Sequence, residues 1–362
     1  MKSSRTVSTR ATEPVEKALA REGKQVTTPQ RRPTQRDIAI ATGMSQTAVS
    51  LALNDVESST VSREARARIL RAAEKMGYVP NRMARNLQST RTHTLACVVP
   101  DLTNPAYPAL IRGFQSAAEA AGYDTMIFDT DGTLEREKRA LHWLAQGHVD
   151  GVMAVFFHVN EAAVLKAVRT GMPVVQMESQ TYRPSKIIDK VYINNAAAVQ
   201  AMTQLLLGKG HQRIVMLSCH KGPGAERERG FREAMRGAGF PARIIEAEDF
   251  TQAAGERAIT TALAAGSQFS AVLAANDLLA IGAMAALRVS GKRIPEDVAL
   301  AGFDDIPAAQ LLHPALTTVR RDEQDIGRFV AELLVARLGG SDSDLPGRGF
   351  EMTYQLITRE ST

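Results

Sequence analysis

Thr34–Asn54 reads TQRDIAIATGMSQTAVSLALN, and its spacing decides the front of the chain. Thr34 is followed three residues later by Asp37, a capping-box start for a first helix. Ile38, Ala39 and Ala41 are expected to give that helix its buried side. Gly43 permits a sharp turn because glycine adopts positive φ without steric cost, and Ser45 then caps a second helix. Val49 and Leu53 face inward from the second helix, which leaves Gln46, Thr47, Ser50 and Leu51 on its outer side. A third helix starts at Ser62, runs on Ile69, Leu70, Ala73 and Met76, and stops at Gly77. Helix, tight glycine turn and helix is the geometry that places a recognition helix in a DNA major groove. The same three helices could also form a small bundle without DNA affinity.

Charge supports the first reading. Residues 1–91 hold 17 Lys and Arg against 8 Asp and Glu, whereas the rest of the chain holds 27 against 31. A basic front on an acidic body is the electrostatic footprint of a phosphate-binding segment, although a solvated basic tail gives the same count. Residues 1–33 carry no periodic apolar face and read as a disordered tail.

From Leu95 onward the pattern changes to short β-rich runs alternating with helical stretches, over a 362-residue chain too long for one small domain. LACVVP (95–100), DTMIFDT (124–130), VDGVMAV (149–155), PVVQME (173–178) and VYINN (191–195) form the first series. RIVMLSC (213–219), ARIIEAE (242–248), AVLAAND (271–277) and VALAGFDD (298–305) form the second. Helices are expected between most of them, the first near 106–121 and 134–146, and EMTYQLIT (351–358) adds a late strand. Such alternation argues parallel sheets flanked by helices, and the strand number exceeds one compact sheet, so two α/β lobes are expected with a ligand between them.

Cys97 and Cys219 each sit in an apolar run, which fits a reducing cytoplasm better than a disulfide framework. No apolar leader follows Met1, and the longest apolar stretch, 271–289, is broken by Asn276 and Asp277, so neither a signal peptide nor a membrane span is expected. Enzymatic patterns are weak. There is no Walker-A loop, no HExxH pair and no GxSxG elbow, the seven histidines are scattered, and Gly222-Pro223-Gly224 lacks the lysine-serine partner of an anion cradle. No catalytic pair, metal or cofactor is expected.

Tyr78-Val79-Pro80-Asn81-Arg82 followed by Met83-Ala84-Arg85-Asn86-Leu87 resembles the hinge helix of the lactose-repressor/galactose-repressor (LacI/GalR) family. PDLTNP (100–105), VDG (149–151), ERERGF (226–231), AANDLLAIG (274–282), IPEDVALAGFDD (294–305) and ALTTVRRD (315–322) extend that resemblance over roughly residues 34–360. It implies an N-terminal all-α helix-turn-helix headpiece at 34–80, a hinge helix and linker at 81–92, and a periplasmic-binding-protein-like α/β core at 93–362. That core would be two doubly wound parallel-sheet lobes, one of 93–191 and 323–349, the other of 192–322 and 350–360.

The resemblance further implies a ligand-responsive transcription regulator, most often a repressor, binding a near-palindromic operator as a homodimer. DNA contacts would come from Thr34, Ser45, Gln46, Thr47, Ser50, Leu51 and Asn54 in the head. Asn81, Ala84 and Leu87 would follow from the hinge, with Leu87 wedged between base pairs in the minor groove. Seven residues cannot hold a helix alone, so the hinge should order only when two copies meet on DNA. In the cleft, the family positions fall on Asp101, Asn104, Tyr107, Asp129, Glu178, Arg227, Asn276 and Asp304. Carboxylates, amides and a guanidinium suit a sugar, a sugar acid or a related metabolite.

Alternatives stay beside these assignments. Arg229 competes with Arg227, Asn276 and Asp304 could cap helices, and Asp129 and Glu178 could be solvated loop carboxylates. Phe156, Phe157 and His158 could stack on a sugar ring or simply pack. Three features depart from the family: Leu51 stands where arginine is common, the loop at 55–60 is longer, and Glu178-Ser179 replaces an Asp-Arg pair. The operator's sequence therefore does not carry over. The chain has no C-terminal leucine heptads, so a dimer and not a coiled-coil tetramer is expected. A two-lobe transport-binding protein is the competing class.

Overall fold

The structure is a computed structural model that describes residues 33–53, 61–79, 91–167, 171–178, 188–340 and 345–362. Asn54, Asn81, Ala84 and Leu87, and all but the last residue of the 1–33 tail, lie outside the described residues.

The head comprises α1 (Gln35–Thr42), α2 (Gln46–Leu53) and α3 (Arg63–Lys75). Thr34 and Asp37 close the expected capping box: the Asp37 amide donates to Thr34 Oγ1 at 3.3 Å, and the Thr34 amide donates to Asp37 Oδ2 at 2.7 Å. Gly43 ends α1 with φ of +66°, where a side chain would be strained. Ile38, Ala39, Val49, Ala52, Ile69 and Ala73 form the buried core. Two expected core positions differ. Ala41 is exposed and Thr42 takes its place, because 38, 39 and 42 share one side of the helix and 41 points away; the Thr42 hydroxyl donates to Ile38 O at 2.7 Å. Leu70 is 48% exposed, since the one-turn pair Ile69 and Ala73 defines the inner face of α3.

Residues 91–362 form a second unit. Its first lobe carries a parallel sheet in the order β11-β5-β4-β3-β1-β2. The strands are β1 (Thr94–Val99), β2 (Asp124–Asp129), β3 (Gly151–Val155), β4 (Val174–Glu178), β5 (Ile188–Ile193) and β11 (Gly349–Met352). Strand alternation builds two separate cores from β1 alone. Leu95, Cys97 and Val99 pack on one face, beneath α4 (Ala106–Ala120) and α11 (Glu323–Leu338). Ala96 and Val98 pack on the other, beneath α5 (Leu134–Leu144) and α6 (Glu161–Ala167). Gly113 and Gly327 let α4 and α11 touch backbone to backbone; a Cβ on either would fall within 2 Å of a carbonyl oxygen of the other helix.

The second lobe has the parallel order β7-β6-β8-β9, formed by β6 (Ile214–Ser218), β7 (Arg243–Glu246), β8 (Ala271–Ala274) and β9 (Ala299–Ala301). Helices α7 (Asn195–Gly208), α8 (Gly224–Gly237), α9 (Gln252–Ala264) and α10 (Asp277–Val289) surround it over one continuous core.

The chain passes between the lobes after β5, after β10 (Thr318–Arg320) and between β11 and β12 (Gln355–Ile357). EMTYQLIT is accordingly two strands and not one. Its first half pairs parallel with β5, its second half antiparallel with β10, and the break falls at Thr353–Tyr354 where the chain changes lobes. The fifth strand likewise runs to Ile193, so the first crossing comes after that residue. Among the described residues no helix is long and apolar enough to cross a membrane.

Candidate functional site

On the head, Ser45, Gln46 and Thr47 are exposed at the start of α2, while Ser50 and Leu51 one turn later are half-buried. Ser45 Oγ accepts the Ala48 amide at 3.1 Å, fixing where α2 begins. Thr34 is half-buried in its capping box. Arg68 donates to Thr42 O at 2.8 Å and ties α3 to the end of α1.

In the second unit a cavity opens between the lobes, about 1210 Å³ when the space continuous with solvent at its mouth is included. Five sequence-selected residues surround its polar side: Asp101, Asn104, Arg227, Asn276 and Asp304; Tyr107 lies beside them. All come from loops at the carboxyl ends of parallel strands or from the helix starts that follow, where backbone geometry leaves a crevice.

Arg227 is the centre of the floor. It is almost fully buried on α8, donates through Nε to Asn195 Oδ1 at 2.9 Å and through Nη1 to Ala275 O, and stacks its guanidinium 3.6 Å above the Phe303 ring. Burial lowers its pKa to about 10, partly opposed by Asp304, so it keeps its proton at neutral pH. α8 can bring it there because Gly230 lies against α7; a Cβ at Gly230 would sit 2.1 Å from Ala196 O. Arg229, by contrast, points outward and pairs with Glu226 and Glu233 on the surface of the same helix.

Asn276 caps α10, its Oδ1 accepting the Leu279 amide at 2.9 Å, while its Nδ2 donates to Phe250 O at 3.1 Å. Capping and lining are therefore compatible. Asp304 takes φ of +115°, an uncommon conformation for a side-chain-bearing residue. Its Oδ1 lies 3.8 Å from Arg227 Nη2 and 3.0 Å from Arg321 Nη2, so one carboxylate faces two guanidiniums, that of Arg227 buried and that of Arg321 half-buried.

The first-lobe carboxylates behave differently. Asp101 Oδ1 accepts from the Thr103 amide at 2.7 Å and its hydroxyl at 2.6 Å, and Asn104 Oδ1 accepts the Ala106 amide at 3.1 Å as α4 begins. Asp129 is exposed and stands outside the residues that line the cavity; its carboxylate accepts the Leu102 amide at 3.2 Å and the Asp131 amide at 2.8 Å, shaping two neighbouring loops. Glu178 ends β4, and its side chain lies outside what is described.

Phe156 and Phe157 line the wall, and Phe157 meets Phe250 of the other lobe edge-on with ring centroids 6.3 Å apart. Buried Glu137 accepts the amides of Phe157, His158 and Val159, which fixes that loop; His158 turns instead to Gly132 O at 2.8 Å. Gly222-Pro223-Gly224 forms the entry to α8 and borders the cavity through Pro223. Among the described residues no group of His, Cys, Asp and Glu is placed to hold a metal ion.

Sequence reasoning passed over Arg321 and Glu323, which complete the floor. Arg321 Nη2 contacts both Asp304 and Glu323 Oε1. Burial pushes the Glu323 carboxyl up to about 7 against the opposing pull of Arg321. The same burial raises the Tyr107 phenol far above its usual range. The available signal was position: Arg321 directly follows a strand, and Asn276 and Asp304 stand within three residues of a strand's end.

Residues 34–81 match the family of bacterial regulatory proteins called the lacI family, and residues 203–362 match a periplasmic binding protein-like domain. The chain is 34% identical to the HTH-type transcriptional regulator CelR of Thermobifida fusca, over 91% of this chain and 98% of the relative. It is 31% identical to the ribose operon repressor of Halalkalibacterium halodurans, over 91% and 97%. A solved complex of CelR with cellobiose, at 31% identity, superposes with a TM-score of 0.66 over 91% of this chain and all of that one. The lac repressor dimer bound to operator and the anti-inducer ONPF shares the fold, with a TM-score of 0.80 over 92% and 99% at 24% identity. A helix-turn-helix head before a two-lobe α/β core, matched along nearly the full length of such relatives, makes this chain a transcriptional regulator of the lacI family.

Proposed function

We propose that the chain acts as a repressor, binding a near-palindromic operator as a homodimer in the cytoplasm, and that a small polyhydroxy effector held between its lobes sets its DNA affinity. One observation carries the reading: the head that presents Gln46 and Thr47 shares its chain with a cavity walled by both lobes and floored by Arg227, Asn276 and Asp304. A ligand that touches both walls stabilises one arrangement of the lobes, and a differential affinity for two arrangements is what couples binding to output.

The floor favours an uncharged sugar over a sugar acid. Arg227 and Arg321 both face Asp304, and Arg321 also faces Glu323, so both guanidiniums already face carboxyl groups of the protein. Phe156, Phe157 and Phe250 supply apolar surface for the faces of a sugar ring. The structure of CelR with cellobiose, and that of a regulator with bound ribose, are in keeping with this class. For the dimer, Met126 and Ile127 on the edge strand β2 and Leu311 after β9 stand exposed at 38%, 41% and 74%, apolar surface that a second copy would cover.

The head's contacts are proposed for Thr34, Ser45, Gln46, Thr47, Ser50 and Leu51. Without a guanidinium at position 51, the apolar side chain would meet a thymine methyl group in place of a guanine edge. The test is a thermal-shift screen against neutral sugars, polyols, sugar acids and purines, followed by calorimetry. A neutral sugar should raise the melting temperature by mass action. Stabilisation by sugar acids alone would overturn the neutral-ligand reading.

A further inference from the structure

Glu323 stands at the meeting point of the two lobes. It is the first residue of α11, which belongs to the first lobe, and it follows directly on the crossover from β10. Its carboxyl lines the cavity and is 7% exposed. Charged and titratable groups face it from every side: Arg321 and Asp322 on the crossover, Asp304 from the loop after β9, Arg227 from α8 and Tyr107 from α4. The Nε of Arg321 is buried without a hydrogen-bond partner among the described residues, so the pair is not saturated by the protein itself. Asp304 is shared by two guanidiniums, whereas among the described residues Glu323 forms an ion pair with Arg321 alone, which leaves it acceptor capacity toward the cavity.

We propose that Glu323, oriented by Arg321, is a specificity-determining residue that accepts a hydroxyl of the effector as a carboxylate and thereby makes effector binding release a proton. The proposal rests on the cavity being the effector site. In the free protein Glu323 titrates at about 7, because burial opposes its ionisation more than Arg321 favours it. A ligand hydroxyl donating to Glu323 stabilises the ionised form more than the neutral acid, since a charge-assisted bond is stronger than one to a neutral carboxyl group. Ligand O–H then bonds to Glu323 COO⁻, and the proton formerly on Glu323 leaves for solvent. The sign follows: affinity is full above the free-state pKa and falls as pH drops through it, levelling off below the lower pKa of the complex. A ligand that lowers this pKa by one unit changes affinity by about tenfold across that window.

The experiment is titration calorimetry of the full chain with cellobiose, ribose and gluconate between pH 5.5 and 8.5, in buffers of different ionisation enthalpy, for the wild type, Glu323→Gln and Glu323→Asp. Wild-type affinity for a neutral sugar should rise about tenfold with pH, with proton release near pH 7. Glu323→Gln should lose both the slope and the proton release and bind several-fold more weakly at pH 8. Glu323→Asp should keep the slope at lower affinity. Unaltered melting temperature and DNA binding would show that both variants are folded. A wild type that binds a sugar with no pH slope, or a Glu323→Gln variant that keeps it, overturns the assignment while sparing the cavity. Binding of none of the three probes, or binding unaffected by Arg227→Ala, removes the cavity reading and the proposal with it.

Discussion

The two walls of the cavity are built on opposite principles. On the second lobe, Arg227, Asn276 and Asp304 are almost wholly buried, and each is held by partners from a different element: Asn195 and Ala275, Leu279 and Phe250, Arg227 and Arg321. On the first lobe, Asp101 and Asp129 are solvated to varying degrees and spend their oxygens on nearby loop amides. The first kind of side chain is set before any ligand arrives, so its ordering entropy is already spent. The second kind shapes a loop and leaves recognition to the aromatic wall and to Asn104 and Tyr107. Polar specificity should therefore reside mainly on the second lobe and at the crossover, with the first lobe closing over it.

Side-chain truncations should separate the two walls. Arg227→Ala should have the largest effect, weakening effector binding by about 3 kcal/mol, roughly a hundredfold, because a charged donor is lost from a desolvated site. Calorimetry measures it, and loss of the Asp304 counter-charge should lower the melting temperature as well. Gly230→Ala comes next and acts on structure: its Cβ would fall 2.1 Å from Ala196 O, so α8 must shift and carry Arg227 with it. Lower thermal stability and weakened effector binding should appear together. Asn276→Ala should cost about 0.5–2 kcal/mol through the lost cap of α10, read by chemical denaturation, with a smaller loss of ligand affinity. Asp129→Ala should be the mildest, within about 0.5 kcal/mol in stability and without effect on effector affinity. A large affinity loss at Asp129 would erase the distinction between the walls.

How much of this was legible in the sequence divides along similar lines. Periodicity in LACVVP, AVLAAND and VALAGFDD, each ended by a polar residue or proline, located strands and strand ends. Asn276 and Asp304 followed from them. The capping box at Thr34 and Asp37 and the glycine turn at 43 are local chemistry, and local chemistry is readable. Three things were not. Ala41 and Leu70 lie about a quarter-turn or more from the inner faces of their helices, a distinction too fine for a pattern of small and apolar residues. Asp129 sits at a strand end like a ligand contact but finds amides within its own loop and the one beside it, a competition that only coordinates resolve. Arg321 and Glu323 reach the floor because the chain changes lobes between β10 and α11, and no local signal marks a crossing. The split of EMTYQLIT between two sheets has the same origin.

Occupation of the cavity should be felt at the head. The most direct measurement determines the affinity of the full chain for an operator, selected from random duplexes and followed by fluorescence anisotropy at fixed salt, with and without a saturating sugar from the screen. Operator affinity should change by about 5- to 150-fold, matched by an equal change in sugar affinity when operator is present. Equal operator affinity with the cavity empty and filled would contradict it.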